Sequence, residues 1–162
     1  MEINYLKKMG ETPRIGDRIN KGVTEEMIAN LEAKLNITFP IAYREFLFLG
    51  GRYNNILAMD GGFYKRGENR QYYIEEQQQL AVEQLHEMGY KIEKPFWVIA
   101  DLDSCEQFHY FHFDEGDNPP VYFYCSYMPQ SDNTDKPAHE KIANSFSEYI
   151  DNLIDHRKKV GY

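Results

Sequence analysis

The sequence predicts an α+β fold: an antiparallel β-sheet of about four or more strands with helices packed on one side. Three observations predict it. Residues 24–49 carry apolar side chains at helical spacing in two blocks with a short break between them. Residues 108–113 and 121–128 are aromatic runs flanking the loop DEGDNPP, the pattern of an antiparallel hairpin. Residues 140–157 carry another apolar stripe at helical spacing. Consecutive strands joined by short connections make an antiparallel sheet, with helices segregated from it along the chain.

The elements follow in order. Residues 1–22 hold Gly10, Pro13, Gly16 and Gly22 among charges and read as an irregular lead-in to a core of 23–157, within one domain of 1–162. Ile3, Tyr5 and Leu6 offer a short edge strand or a helical turn. Thr24 suits the N-cap of a first helix, with Glu25 and Glu26 at its positive end. Ile28, Leu31 and Leu35 share one face of it, and Asn36 tolerates the left-handed conformation in which many helices end. Pro40 suits the first turn of a second helix, which carries Tyr43, Phe46, Leu47 and Leu49 and stops at Gly50-Gly51.

Residues 52–73 read as a loop, with Asn54-Asn55 and Gly61-Gly62 as turn signals and a short strand over 56–59. A third helix is expected over 75–88, with Leu80, Ala81, Leu85 and Met88 on one side and Gly89 at its end. PFWVIAD, 95–101, is a continuous apolar run, as in a strand covered on both faces. If residue 113 pairs with 121 in the hairpin, His109 lies opposite Cys125 and Tyr110 opposite Tyr124. The last helix, near 140–157, has Ile142, Phe146, Tyr149, Ile150, Leu153 and Ile154 as its stripe.

Composition narrows the function. A chain of 162 residues buries about 70% of its unfolded surface without staples, and its 42% hydrophobic and 27% charged residues are those of a soluble globular protein. No apolar run of membrane-spanning length occurs, and the first residues lack the apolar core of a secretory signal. The two cysteines then read as reduced thiols, and the cytoplasm is the expected compartment. The net charge of −8 is uneven: residues 95–155 hold two lysines against 12 acids, whereas 1–23 and 156–162 are net basic. That balance argues against nucleic acid and fits a basic protein partner, or a surface kept acidic for solubility. The 13 tyrosines suit both a sheet core and a contact surface.

Candidate chemistry is thin. His109 and His112 sit three residues apart on a strand and so point to opposite faces, which does not make a metal site. His109 opposite Cys125 suggests a thiol nucleophile with its base, yet no orienting group or oxyanion hole is placed beside it. Asp101 and Asp103 with Glu106 lack a nearby catalytic lysine or histidine and read as a loop or contact surface. Neither double glycine has the spacing of a phosphate-binding loop. No cofactor or metal is expected, and the chain reads as a non-enzyme.

The ordered set of an acid-rich helix start, a short break, Pro40, "EFL" at 45–47, "GG" at 50–51, PFWVIAD, FHYFHF, DEGDNPPVYFY and SFSEYI resembles the SUKH superfamily over roughly 24–155. This sequence departs from that pattern with Asn36 in place of a usual glycine and with ADLDSCEQF before the aromatic strand. The resemblance implies a SUKH-like α+β fold and an immunity protein that neutralises a cognate toxin domain in the cytoplasm. The acidity adds that the toxin is basic, of nuclease type. Asp101, Asp103, Glu106, Asp114, Glu115 and Asp117, with Tyr64 and Tyr72 from the long loop, are the expected partner-binding residues. The alternatives are a regulatory or scaffold domain of the same fold, binding another protein or a small ligand, and, more remotely, a hydrolase.

Overall fold

The computed structural model describes residues 1–57, 73–102, 104–126 and 139–160. The lead-in is built of short pieces: a helix Lys7–Glu11 (α1), then strands Arg14–Ile15 (β1) and Arg18–Ile19 (β2) turning at Gly16, whose φ is +56°. Helix Glu25–Leu35 (α2) begins where expected, with Thr24 Oγ1 accepting the Met27 N–H at 3.2 Å. It ends at Asn36 in the left-handed conformation, φ 54°. Glu32 then accepts the Phe39 N–H at 2.7 Å, which ties the break between the helices, and Pro40 caps helix Ile41–Gly50 (α3). Helix Tyr73–Glu87 (α4) follows the long connection. Ile56 and Leu57 are buried but form no strand, because Asn54 Oδ1 accepts both of their N–H groups at 3.1 and 2.6 Å. Residues 58 and 59 of that expected strand lie outside the described residues.

Strands Phe96–Leu102 (β3), Gln107–His112 (β4), Val121–Cys125 (β5) and His139–Ala143 (β6) form one antiparallel sheet in that order. β6 corrects the helix expected near 140–157, which begins only at Phe146 and runs to Val160 (α5). The start is set by a reciprocal cap: Ser145 Oγ accepts the Glu148 N–H at 3.1 Å and Glu148 accepts the Asn144 N–H at 2.9 Å. Upstream of that cap the chain pairs with β5, Lys141 opposite Tyr122 and His139 opposite Tyr124. Ile142, at a bulge, is exposed rather than part of the helical stripe.

The hairpin register also differs from expectation. Gln107 pairs with Cys125, Phe108 with Tyr124, His109 with Phe123 and Tyr110 with Tyr122, two residues away from the alignment that sets 113 against 121. Parity is kept, so each side chain stays on its expected face. The slip arises because the β4–β5 loop docks on two helix starts. Its Asp117 carbonyl accepts the Ala42 N–H at 2.9 Å, and Asn118 Oδ1 accepts the Ser147 N–H at 2.9 Å. Both amides are in first turns, where no intrahelical partner exists.

The helices divide between the two faces. Trp97, Phe111 and Val121 pack with Tyr43 and Phe46 of α3, Ile28 and Leu31 of α2, and Phe146 and Ile150 of α5 in the main core. There Trp97 Nε1 donates to Tyr43 Oη at 3.1 Å, and burial raises the tyrosine's pKa above its ordinary value. Helix α4 departs from the one-sided packing. It runs along the β3 edge, where Gln78 accepts the Val98 N–H at 2.9 Å and donates to the Phe96 carbonyl at 3.2 Å. Its Ala81 and Leu85 join Val98, Phe108, Tyr110 and Tyr124 in a second apolar cluster. The reason is that β4 is aromatic on both faces, and the second face needs cover as well.

Candidate functional site

The expected acids do not form one face. β4 spans six residues, about 20 Å at strand rise, and the acids fall at its two ends. At the β3–β4 turn, Asp101 accepts from Gln77 Nε2 at 2.9 Å, and the Glu106 carbonyl accepts the Ser126 N–H at 2.9 Å. That turn places Ser104 and Cys105 at positive φ, 56° and 64°. Asp103, Tyr64 and Tyr72 lie outside the described residues. At the opposite end, the β4–β5 loop brings Asp114, Glu115 and Asp117 together. Asp114 and Asp117 are exposed, Asp114 pairing with Lys94 at 3.1 Å, while Glu115 is half-buried and accepts from Tyr122 Oη at 3.0 Å.

Sequence reasoning missed what lies beside this loop. On the sheet face away from α3 and α5, the Tyr110 and Tyr122 rings stack at 5.4 Å, and His112 sits 5.1 Å from Tyr122. His139 Nδ1 lies 3.3 Å from Tyr110 Oη. Burial and the Glu115 carboxylate push the Tyr122 phenol up to about 12. Burial, then the neighbouring His112, lowers the pKa of His139. Tyr124 Oη, His112 Nδ1 and Glu115 Oε2 are buried with no hydrogen-bond partner among the described residues. The alternation of FHYFHF pointed to this face, but its partners depended on the register.

The catalytic candidates are separated. Cys125 faces Gln107, and His109 instead shares a 2.7 Å hydrogen bond with Tyr149 Oη in the main core. Cys105 is buried with its thiol pushed up to about 12, by burial and then by Asp101, so it is a poor nucleophile. His109 and His112 point to opposite faces as expected, one toward Tyr149 and the other toward Tyr122. Among the described residues no three His, Cys, Asp or Glu side chains gather as a metal site, and no helix is long and apolar enough to cross a membrane.

His109 carries a pH dependence instead. Burial lowers its pKa to about 4 from an ordinary value near 6.5. The unfolded chain therefore binds a proton between those values that the folded chain refuses. The stability it protects is complete above pH 6.5 and is lost as the pH falls toward 4, by about 3 kcal/mol in all. Denaturant unfolding of the wild type and a His109→Phe variant at pH 7, 5.5 and 4.5 tests this. The gap between them should shift against the wild type on acidification, and a constant gap would refute it.

The model of the SMI1 / KNR4 family (SUKH-1) matches residues 22–152. A crystal structure of a protein from Pseudomonas syringae pv. tomato is similar at 12% identity and a TM-score of 0.48, over 72% of this chain and 80% of that one. No curated protein matches the sequence.

Proposed function

The chain belongs to the SMI1 / KNR4 family (SUKH-1), and we propose that it is a non-enzymatic immunity protein that binds a cognate toxin domain in the cytoplasm and blocks it. The toxin domain on this reading is basic, of nuclease type. The observation that carries the reading is the β4–β5 loop. Its carboxylates are held beside the half-exposed Tyr122 by backbone and Asn118 contacts to the starts of α3 and α5. A pinned loop loses little entropy on binding, and acids next to an aromatic anchor suit a basic partner. The acids steer the encounter, and the tyrosine contributes area at the contact.

The test asks first whether the gene immediately upstream encodes a secreted protein with a C-terminal toxin domain, and then uses co-expression with that domain and binding rates at several salt concentrations. The wild type should protect the cell. Reversing Asp114, Glu115 and Asp117 to lysine should slow association about tenfold or more at low salt and flatten its salt dependence. Unchanged rates would refute the role of this loop, and absence of both protection and binding would refute the reading.

A further inference from the structure

Helix α4 turns apolar side chains to solvent. Leu80 and Val82 are 39% and 49% exposed, and Met88, just past the end of the helix, is 39% exposed, although α4 covers the second cluster with Ala81 and Leu85. Beside it, between the helix and residues 89–96, lies an open groove of about 490 Å³ whose apolar lining is Val82, Leu85, Tyr90, Ile92 and Phe96, with His86 and Lys91 as its polar members. That is within the size range of protein pockets, about 300–1,000 Å³.

The groove is continuous with the acidic loop. Phe96 lies opposite His112 in the β3–β4 ladder, and its ring meets Tyr110 at 5.6 Å. The Phe113 N–H donates to the Pro95 carbonyl at 3.1 Å, and Lys94 pairs with Asp114. One surface therefore runs from the loop carboxylates across His112 and Tyr122 to the apolar groove.

Charge selects the occupant. Residues 73–95 hold five glutamates against Lys91 and Lys94, a net charge of −3; Lys91, in the lining, is offset by its 2.9 Å pair with Glu93, and Glu83 and Glu87 are exposed on α4. A second copy of this chain would set two such segments against each other, and like charges across an interface are costly. A basic partner meets no such penalty.

We infer that this groove is the anchor pocket of the interface, taking a large apolar side chain of the toxin domain flanked by lysine or arginine. The inference rests on the function proposed above and adds where affinity resides: the loop sets the association rate, and the groove sets the dissociation rate.

The test uses this chain and the toxin domain identified by the co-expression test above, with Val82→Asp and Ile92→Asp as groove variants and Val160→Asp, on the 56% exposed Val160 of α5, as control. Thermal unfolding selects variants that keep the wild-type melting temperature, which the exposure of Val82 favours. Val82→Asp should weaken binding about 30-fold through faster dissociation, with the salt dependence of association unchanged. Val160→Asp should bind as the wild type does. Binding by both groove variants within twofold of wild type overturns the inference and leaves the immunity reading standing. No binding by the wild type overturns both. Dimerisation of the chain alone that Val82→Asp abolishes assigns the groove to a second copy and also overturns the inference.

Discussion

Replacing Gly22 with alanine lowers the stability of the fold by about 4 kcal/mol, the sum of a steric clash and of backbone hydrogen bonds that the clash breaks. A Cβ at this position lies 1.5 Å from the Phe48 carbonyl oxygen and 2.5 Å from its carbon, in the last turn of α3. Those are backbone atoms, so no side-chain rotation relieves the overlap. The segment 21–23 straps the end of that helix. Val23 N–H donates to the Leu47 carbonyl at 3.1 Å, Lys21 N–H to the Tyr53 carbonyl at 2.7 Å, and the Arg52 and Tyr53 N–H groups to the Lys21 carbonyl at 2.9 Å each. Lifting the strap by the distance a methyl group needs breaks this set, so the Lys21 and Val23 amides and the Lys21 and Tyr53 carbonyls lose these partners, while the Leu47 carbonyl keeps only the Gly51 N–H at 2.8 Å.

The measurement is thermal unfolding, where a loss of this size lowers the melting temperature by roughly 10 °C in a chain of this length. Gly10→Ala is the control, since a Cβ there meets nothing within 4 Å and alanine favours the helix α1. A melting temperature for Gly22→Ala within 2 °C of wild type would refute the close approach.

Nothing in the sequence distinguished Gly22 from Gly10. Both sit in a charged, glycine-bearing lead-in, and only the tertiary approach of α3 separates them. Local signals fared better. The cap at Thr24 and the left-handed Asn36 were legible because capping is decided by the residue and its immediate neighbours, whereas Pro40, expected in the first turn, stands one position earlier as the N-cap. The start of α5 was legible too, in the spacing of Ser145 and Glu148, but the apolar stripe from Ile142 outweighed it. A stripe extended by one turn into a bulged edge strand looks the same on a helical wheel. The register was partly legible. Period-two alternation gives the face of each side chain, whereas the partner depends on how much loop the helix starts consume. The acids are the plainest case. Their number was evident, but the count of charges in 95–155 carries no information about which end of a sheet each one reaches. The second face, with Tyr110, Tyr122, His112 and the groove beside it, needed both the register and the placement of α4.

Replacing Glu45 with alanine costs about 3–5 kcal/mol, and the loss is concentrated in the first residues of the chain. Glu45 is fully buried in α3, and its carboxylate accepts three backbone N–H groups: Asn4 at 2.7 Å, Tyr5 at 3.0 Å and Leu6 at 2.8 Å. Those donors lead into α1, where Leu6 and Met9 are completely buried in the main core. A glutamate in a helix ordinarily reads as a solvated position, so nothing in the pattern marks the first residue of "EFL" as the one that holds the lead-in. Alanine leaves three donors without their acceptor, the Leu6 N–H in a buried position and those of Asn4 and Tyr5 in part-buried ones. Each orphaned donor costs about 1–3 kcal/mol, and the segment limits that cost by peeling into solvent at the expense of the Leu6 and Met9 packing. Glutamine is the sharper variant. It keeps the shape and one carbonyl oxygen, but its amide NH₂ faces donors that already lack a partner, so it recovers less than half of the loss. Hydrogen exchange separates this from a general destabilisation. In Glu45→Ala, protection of the residue 4–6 amides collapses while that of the β4 and β5 amides falls only by the change in global stability. Equal loss of protection in both regions would refute the local anchoring role, and a total cost under about 1 kcal/mol would mean that the three hydrogen bonds contribute little. The carboxylate ties residues 4–6 to α3, and the Lys8–Asp155 ion pair and the backbone bonds of the 21–23 strap hold the rest of the lead-in.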